Sequence, residues 1–184
     1  MTEFDQTIAV IGGTGDLGSA LTMRWSNAGY RIIIGSRDED KAQAAASKFN
    51  KSLGKDFVRG MTNLEAARYA EIIVLTVPFS NHQAIVEEIS QAAQGKIVVD
   101  TTVPLVPPKV SRVQLPEFGS IAKRTQEKLG NNVKVVSALQ TVAAASISGD
   151  TTTASEVLVC GNNVEARERV IGLVKSAGLK AWHA

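Results

Sequence analysis

The sequence has few of the residues that build metal sites and disulfides. It contains one cysteine among 184 residues, Cys160, and two histidines, His82 and His183. A single cysteine excludes an internal disulfide and a thiolate metal cluster, and two histidines are too few for a metal site without several carboxylates. We therefore expect no metal site. The lack of a disulfide is typical of a cytoplasmic protein.

The sequence also lacks long apolar segments and an excess of one charge. No apolar run approaches the ~20 residues that cross a bilayer, and the acidic first residues do not resemble a secretory signal. The 20 Lys and Arg residues are balanced by 18 Asp and Glu residues and are spread along the chain. We therefore expect a cytoplasmic globular protein that binds neither membranes nor nucleic acid.

Apolar segments of strand length alternate with segments of helical length along the whole chain. This alternation is typical of an α/β fold of the Rossmann type, a doubly wound, mostly parallel sheet with helices on both faces. The length predicts a single dinucleotide-binding domain over residues 1–184. The predicted strands are 7–11, 31–35, 57–58, 71–77, 96–100, 133–138, 156–160 and 180–183. The predicted helices are a segment ending near residue 28, then 38–50, 63–70, 81–93, 121–129 and 164–177.

Four of the five prolines lie close together in the sequence. Proline removes a backbone donor and fixes φ, so a cluster of prolines excludes regular structure. We expect a loop over the edge or mouth of the sheet in the segment 103–116. Its prolines are Pro104, Pro107, Pro108 and Pro116.

A glycine-rich turn follows the first predicted strand and opens the first predicted helix. Gly13, Gly15 and Gly18 have the G-x-G-x-x-G spacing of a dinucleotide-binding turn. In that motif the first glycine makes the tight turn, the second lets the backbone approach a pyrophosphate, and the third allows close helix–strand packing. The motif predicts that phosphates bind at the N-terminus of the helix.

The end of the second strand distinguishes NADP from NAD. An acidic residue there binds the ribose hydroxyls of NAD, whereas a basic residue accommodates the 2′-phosphate of NADP. This sequence has Ser36 and Arg37, followed by Lys41, and Thr14 offers a further hydroxyl. We therefore expect NADP. The alternative is that Arg37 and Lys41 pair with Asp38 and Glu39 on a solvated surface.

No catalytic acid or base is apparent. Neither tyrosine is followed by lysine four residues on. His82 follows the fourth strand and either reaches the crevice or decorates the first turn of a helix, and we favour the second interpretation. For His183, in the last predicted strand, we likewise favour a role outside the chemistry. Segments 76–79 and 101–104 follow the fourth and fifth strands, and we expect them to border the ligand crevice. Their apolar residues suit a flat aromatic ring, although Pro78 and Phe79 also fit ordinary packing. We interpret Cys160 as a core residue.

The chain resembles the coenzyme F-420-dependent NADP reductases over essentially its whole length. The matching segments are 11–18, Gly35-Ser36-Arg37 with Lys41, 74–78, 136–139 and 159–161. The resemblance implies NADP(H) and coenzyme F-420 as cofactors, with hydride passing directly between the nicotinamide and the deazaflavin. Because the protein then mainly positions two rings, the resemblance would also account for the missing acid and base.

The family resemblance also implies a set of binding residues. It assigns the 2′-phosphate to Thr14, Ser36, Arg37 and Lys41, and the nicotinamide to the neighbourhood of Pro78 and the segment 139–141. Pro78 and Gln140 are the candidate positioning residues. The full set of candidate cofactor-binding residues is Gly13, Thr14, Gly15, Asp16, Leu17, Gly18, Ser36, Arg37, Lys41, Thr76, Val77, Pro78, Leu139, Gln140 and Thr141.

Two departures from the family leave the second substrate open. Gln140 stands where the family commonly has histidine, and relatives continue past Ala184, so the sequence is either clipped or has lost part of the deazaflavin pocket. The alternatives are a reductase of a flavin or of a small imine or carbonyl compound, and a nucleotide-sensing module without turnover. We also expect a homodimer, because an open sheet leaves apolar surface to cover.

Overall fold

Six parallel strands form the main sheet of the protein. The computed structural model describes residues 6–106, 108, 112–149 and 155–184. The strands are β1 (Thr7–Ile11), β2 (Arg31–Ser36), β3 (Val58–Thr62), β4 (Ile72–Leu75), β5 (Ile97–Asp100) and β6 (Lys134–Ser137), in the spatial order β3-β2-β1-β4-β5-β6. This order confirms the predicted doubly wound, mostly parallel sheet.

The order of the strands reverses between β1 and β4. These two neighbours are parallel, with Ile8 opposite Ile72 and Val10 opposite Val74. All four side chains are buried, as expected of strands that are covered on both faces. In such sheets ligands bind in the crevice outside the carboxyl ends of the strands at this switch point.

Helices cover both faces of the sheet. They are α1 (Asp16–Asn27), α2 (Glu39–Leu53), α3 (Asn63–Tyr69), α4 (Phe79–Ile89), α5 (Ile121–Leu129), α6 (Ala144–Ile147) and α7 (Val164–Ser176). One core cluster includes Trp25 of α1 and Val170 of α7, and the other includes Ala66 of α3 and Ile85 of α4. No helix among the described residues is long and apolar enough to span a membrane.

Two further strands, β7 (Glu156–Val159) and β8 (Lys180–His183), pair in parallel beside the main sheet. An antiparallel bridge between Ser137 and Cys160 joins this pair to the end of β6. Exposed and buried residues alternate along β7, and Cys160 continues the pattern on the exposed side. The prediction that Cys160 belongs to the core is therefore wrong, because only one face of this strand is covered.

Several element boundaries differ from the sequence predictions. β3 extends to Thr62, where the side chain of Thr62 and Glu65 form a capping box that begins α3. Helix α4 begins earlier than predicted, directly after Pro78. In the described part of the proline-rich segment, Leu105 and Val113 form an isolated antiparallel bridge. Pro107 lies outside the described residues.

Candidate active site

The glycine-rich turn joins β1 to α1 at the switch point. Gly12 has a φ of 82°, in the left-handed region that favours glycine. The amide of Gly13 donates to the carbonyl of Val10 at 3.1 Å, and that of Gly15 donates to Gly12 at 2.9 Å. The tight turn is therefore centred on Gly12, one residue before the first glycine of the predicted motif.

Helix α1 packs against the turn without space for a side chain at Gly18. A Cβ atom there would lie 2.7 Å from both the carbonyl oxygen of Gly12 and the Cα atom of Gly13. Gly15 caps the helix without a side-chain hydrogen bond. The first backbone N–H groups of α1 have no acceptor within the helix, and Thr14, Gly15 and Asp16 are exposed beside them. This arrangement can bind a phosphate.

The end of β2 lies beside the glycine-rich turn, since the Gly12 amide donates to the carbonyl of Gly35 at 3.0 Å. A hydroxyl and two cationic side chains follow Gly35 in the sequence. Ser36 Oγ accepts a hydrogen bond from the Asp38 amide at 3.1 Å, and Asp38 caps α2. Lys41 Nζ lies 3.5 Å from Asp38 Oδ2, with both side chains largely exposed. Arg37 is exposed and has no ion-pair partner among the described residues. The predicted alternative of surface pairing thus applies to Lys41. An exposed ion pair of this kind contributes about 0–1 kcal/mol to stability.

Close packing of α2 on β3 fixes the position of this cationic segment. A Cβ atom on Gly60 would lie 2.2 Å from the backbone carbon of Ala42, whose own side chain is fully buried. The first turn of α2 therefore rests on the backbone of β3 itself.

The ends of β4 and β5 form the other side of the crevice. Thr76 Oγ1 donates to the carbonyl of Ile11 at 2.8 Å, which holds the end of β4 against β1. Thr101 Oγ1 donates in the same way to the carbonyl of Leu75 at 2.8 Å. Pro78 is exposed at the start of α4, so its ring is available to a ligand.

The segment after β6 is held in a strained turn. Leu139 has a φ of 72°, which is unfavourable for a residue with a side chain, yet it is 2% exposed. The side-chain amide of Gln140 donates to the carbonyl of Asp100 and to Ser137 Oγ, both at 2.8 Å. The structure therefore brings Gln140 to the ends of β5 and β6.

A buried polar cluster lies behind this edge of the sheet. His82 Nε2 is 2.8 Å from Asp100 Oδ2, and Thr125 Oγ1 donates to the same oxygen at 2.7 Å. The amide of Thr102 donates to Asp100 Oδ1 at 3.0 Å. His82 is in the first turn of α4 but only 6% exposed, so the prediction that it merely decorates the helix is wrong. His183 is exposed, as expected.

The electrostatics of Asp100 result from opposing effects. Burial raises the pKa of the Asp100 carboxyl, but hydrogen bonds from His82, Thr125 and the Thr102 amide lower it, together with the Coulomb attraction of His82. The hydrogen bonds and attraction prevail, so the pKa of Asp100 is below its ordinary value. Its carboxylate is therefore ionised at neutral pH.

A weak sequence signal for this cluster exists. Residues 82, 85, 86 and 89 are the buried positions of α4, and this spacing marks one face of a helix. His82 occupies the first of these positions among apolar residues. A histidine on a buried face needs a hydrogen-bond partner, and Asp100, the last residue of the apolar strand β5, is a candidate partner.

With this geometry established, comparison with known proteins identifies the family. The profile described as "NADP oxidoreductase coenzyme F420-dependent" matches residues 7–104, which include the glycine-rich turn and the ends of β2, β4 and β5. The F420-dependent NADP reductase of Methanocaldococcus jannaschii is 36% identical over 174 residues, covering 90% of this chain and 77% of that protein. The chain belongs to this family.

Further relatives agree with the assignment. The F420-dependent NADP reductase of Methanothermobacter marburgensis is 46% identical over 100 residues, which cover 53% of this chain and 45% of the relative. A putative F420-dependent NADP-reductase from Arthrobacter sp. FB24 has a similar crystal structure, with a TM-score of 0.79 and 26% identity, covering 97% of this chain and 84% of that one. The predicted family, the oxidoreductase class and the cofactors NADP(H) and coenzyme F-420 are thereby confirmed.

Proposed function

We propose that this F-420-dependent NADP oxidoreductase holds its two cofactors face to face, so that hydride passes between them without a proton-relaying side chain. The cofactors supply the chemistry: a C–H bond of the nicotinamide breaks, a C–H bond forms on the deazaflavin with both electrons, and solvent provides the accompanying proton. The described residues contribute binding and orientation. The observation that carries the proposal is Arg37, an exposed cation directly after β2 that has no ion-pair partner among the described residues and is therefore available to the 2′-phosphate.

The NADP half of the site is proposed at the carboxyl ends of β1 and β2. The backbone amides that begin α1 bind the pyrophosphate, and the helix dipole adds to their attraction. Arg37 and Lys41 bind the 2′-phosphate through charge-assisted hydrogen bonds, with the hydroxyls of Thr14 and Ser36 as further donors. Lys41 must exchange its exposed contact with Asp38 for the phosphate, which costs little.

The ring half of the site is proposed at the ends of β4, β5 and β6. Thr76, Val77 and Pro78 line one side, and the segment 139–141 lines the other. The hydrogen bonds of Gln140 to Asp100 and Ser137 fix its side chain, so Gln140 positions the rings and does not exchange a proton with them. An amide cannot act as an acid or base at neutral pH.

The test is anaerobic mixing of the purified protein with NADPH and oxidised coenzyme F-420. We expect the visible absorbance of the deazaflavin to bleach, and we expect slower bleaching when NADH replaces NADPH. A matched reaction with flavin mononucleotide, and one with a cyclic imine, examine the alternative substrates. Intact NADPH binding without deazaflavin bleaching would contradict the proposal, and turnover of flavin or imine alone would identify the substrate class instead.

A homodimer is proposed from exposed apolar side chains beside the sheet. Leu158 and Trp182 are directly opposite each other on β7 and β8 and are 60% and 54% exposed. Large exposed apolar neighbours are typical of an interface, and a twofold contact would cover them. We expect light scattering to give twice the chain mass of 19.5 kDa, and Leu158→Glu to give the monomer. A monomeric wild type at working concentration would contradict this assignment.

Residues 1–184 are proposed to form one dinucleotide-binding domain, and the protein is proposed to act in the cytoplasm. The two core clusters share the strands of the main sheet, so they should unfold together in one transition. A cytoplasmic location agrees with a single cysteine, and fractionation of cells that express the natural protein tests it.

A further inference from the structure

The carboxylate of Asp100 is the centre of a hydrogen-bond network that joins four segments. Oδ2 accepts from His82 of α4 and from Thr125 of α5, and Oδ1 accepts from the backbone of Thr102 after β5. The carbonyl oxygen of the same residue accepts from the side chain of Gln140 after β6. One residue thus connects the elements that surround the proposed ring site.

The network is buried, so its hydrogen bonds define positions closely. The side chain of Asp100 is 1% exposed and that of His82 is 8% exposed. Thr125 is also 1% exposed. Inside a protein a carboxylate attracts its donors more strongly than in water, and an unpaired donor there is costly. The end of β5, the first turn of α4 and the middle of α5 therefore cannot shift independently while this network is intact.

We propose that Asp100, His82 and Thr125 are positioning residues for hydride transfer, and this inference rests on the function proposed above. None of the three is proposed to touch a cofactor. The network holds Gln140 and the turn at Thr102 in fixed positions, and these in turn define how closely the nicotinamide and the deazaflavin approach. A displacement of about 1 Å in a reacting pair can reduce the rate about a hundredfold.

Substitutions at Thr125 separate the effect of its hydrogen bond to Asp100 from the effect of its side-chain shape on packing. Thr125→Val keeps the shape of the side chain but removes the hydrogen bond to Asp100, whereas Thr125→Ser keeps the hydroxyl. Asp100→Asn removes the negative charge of the carboxylate, and His82→Gln removes the imidazole. Since valine is nearly isosteric with threonine, Thr125→Val remains informative even if Asp100→Asn fails to fold.

A control variant matches the loss of stability without touching the network. Val170 of α7 is fully buried in the core cluster on the opposite face of the sheet, so Val170→Ala should lower the melting temperature by creating a cavity. If the network acts only through stability, Val170→Ala and Thr125→Val should have equal activity at a temperature where both are folded.

Three measurements test the proposal with NADPH and coenzyme F-420. Single-turnover kinetics at saturating cofactors give the hydride-transfer rate, with nicotinamide-deuterated NADPH to show that this step is observed. Equilibrium titration gives the NADPH dissociation constant. Amide hydrogen exchange of the protein without cofactors reports on the Thr102 N–H, which the network protects.

We expect Thr125→Val to slow hydride transfer about tenfold or more, to change the NADPH dissociation constant less than threefold, and to speed exchange at Thr102. Thr125→Ser and Val170→Ala should retain the wild-type transfer rate. Wild-type transfer rates in Thr125→Val and His82→Gln would overturn the proposal while leaving the proposed function intact. If the wild type itself does not reduce coenzyme F-420, both proposals are wrong.

Discussion

A Cβ atom on Gly18 would lie 2.7 Å from the hydroxyl oxygen of Thr76, the first residue after β4. The hydroxyl cannot move away freely, because it donates to the carbonyl of Ile11 at 2.8 Å. The same Cβ atom would approach the backbone of Gly12 and Gly13 equally closely. Helix α1, β1 and β4 therefore meet at one point that only glycine can occupy.

Gly18→Ala should displace the start of α1 and weaken NADPH binding. We expect at least a tenfold higher dissociation constant and a loss of about 1–3 kcal/mol in the free energy of unfolding, as for overpacking elsewhere. Gly149→Ala is the matched control, since a Cβ atom there meets nothing within 4 Å. Fluorescence titration and urea unfolding check both variants. If Gly18→Ala and Gly149→Ala have the same NADPH dissociation constant and the same free energy of unfolding, the packing at Gly18 accommodates a methyl group and this prediction is wrong.

Arg37→Ala should weaken NADPH binding and leave NADH binding nearly unchanged. A charge-assisted hydrogen bond contributes about 1.5–3 kcal/mol, so we expect roughly a ten- to 150-fold effect on NADPH. Arg31→Ala is the matched control, because Arg31 is also an exposed arginine and lies at the opposite end of β2. Titration of each variant with both cofactors gives the comparison. An equal loss for NADPH and NADH would mean that Arg37 is only structural.

Ser36→Asp should shift the cofactor preference from NADP toward NAD by more than Arg37→Ala does. A carboxylate at this position repels the 2′-phosphate but accepts hydrogen bonds from the ribose hydroxyls. We expect weaker NADPH binding together with tighter NADH binding, measured by the same titrations. Ser36→Asn controls for size without the charge. If the asparagine and aspartate variants behave alike, charge is not the origin of the preference.

Two substitutions of Leu139 should show, by their different stabilities, that its backbone is strained. Leu139→Ala and Leu139→Gly both lose the buried side chain, at about 2–5 kcal/mol, but only glycine relieves the positive φ. We expect the glycine variant to be more stable than the alanine variant by up to about 1 kcal/mol in urea unfolding. At Leu173, which lies within α7, the alanine variant should instead be more stable than the glycine variant. The same order at both positions would contradict the assigned strain.

The ionised Asp100 should make stability depend on acid pH. Because its pKa is below the ordinary value of 3.8 in the folded protein, the unfolded state binds protons more readily. The stabilisation is therefore complete above about pH 5 and is lost as pH falls through the folded pKa. We expect the stability advantage of wild type over Asp100→Asn to shrink between about pH 5 and pH 2.5 in urea unfolding. A constant difference over this range would contradict the pKa direction.

Local signals predicted much of the fold. β1 and α5 begin and end at the predicted residues, because apolar runs and caps such as Ser120 mark their limits. β3 was predicted too short, as 57–58. It is an edge strand whose Arg59 is exposed and whose Gly60 lies against α2, so it lacks the continuous apolar run of a central strand.

The candidate site was predictable where its residues are close in the sequence. The glycine-rich turn and the end of β2 are each contained in a few residues, and the family resemblance extended the site to Gln140. The network around Asp100 was missed because His82, Asp100 and Thr125 come from three separate elements. Their contacts are produced by the order of the strands, which no single segment encodes.

The contact between Gly60 and Ala42 bears on how cofactor preference can change in evolution. Because α2 already rests on the backbone of β3, its first turn cannot move closer to the sheet to compensate for a shorter or longer side chain. In the proposed binding mode, substitutions at Ser36, Arg37 and Lys41 would exchange NADP for NAD on an unchanged backbone. Each intermediate along that route should remain folded, which makes the exchange accessible in single steps.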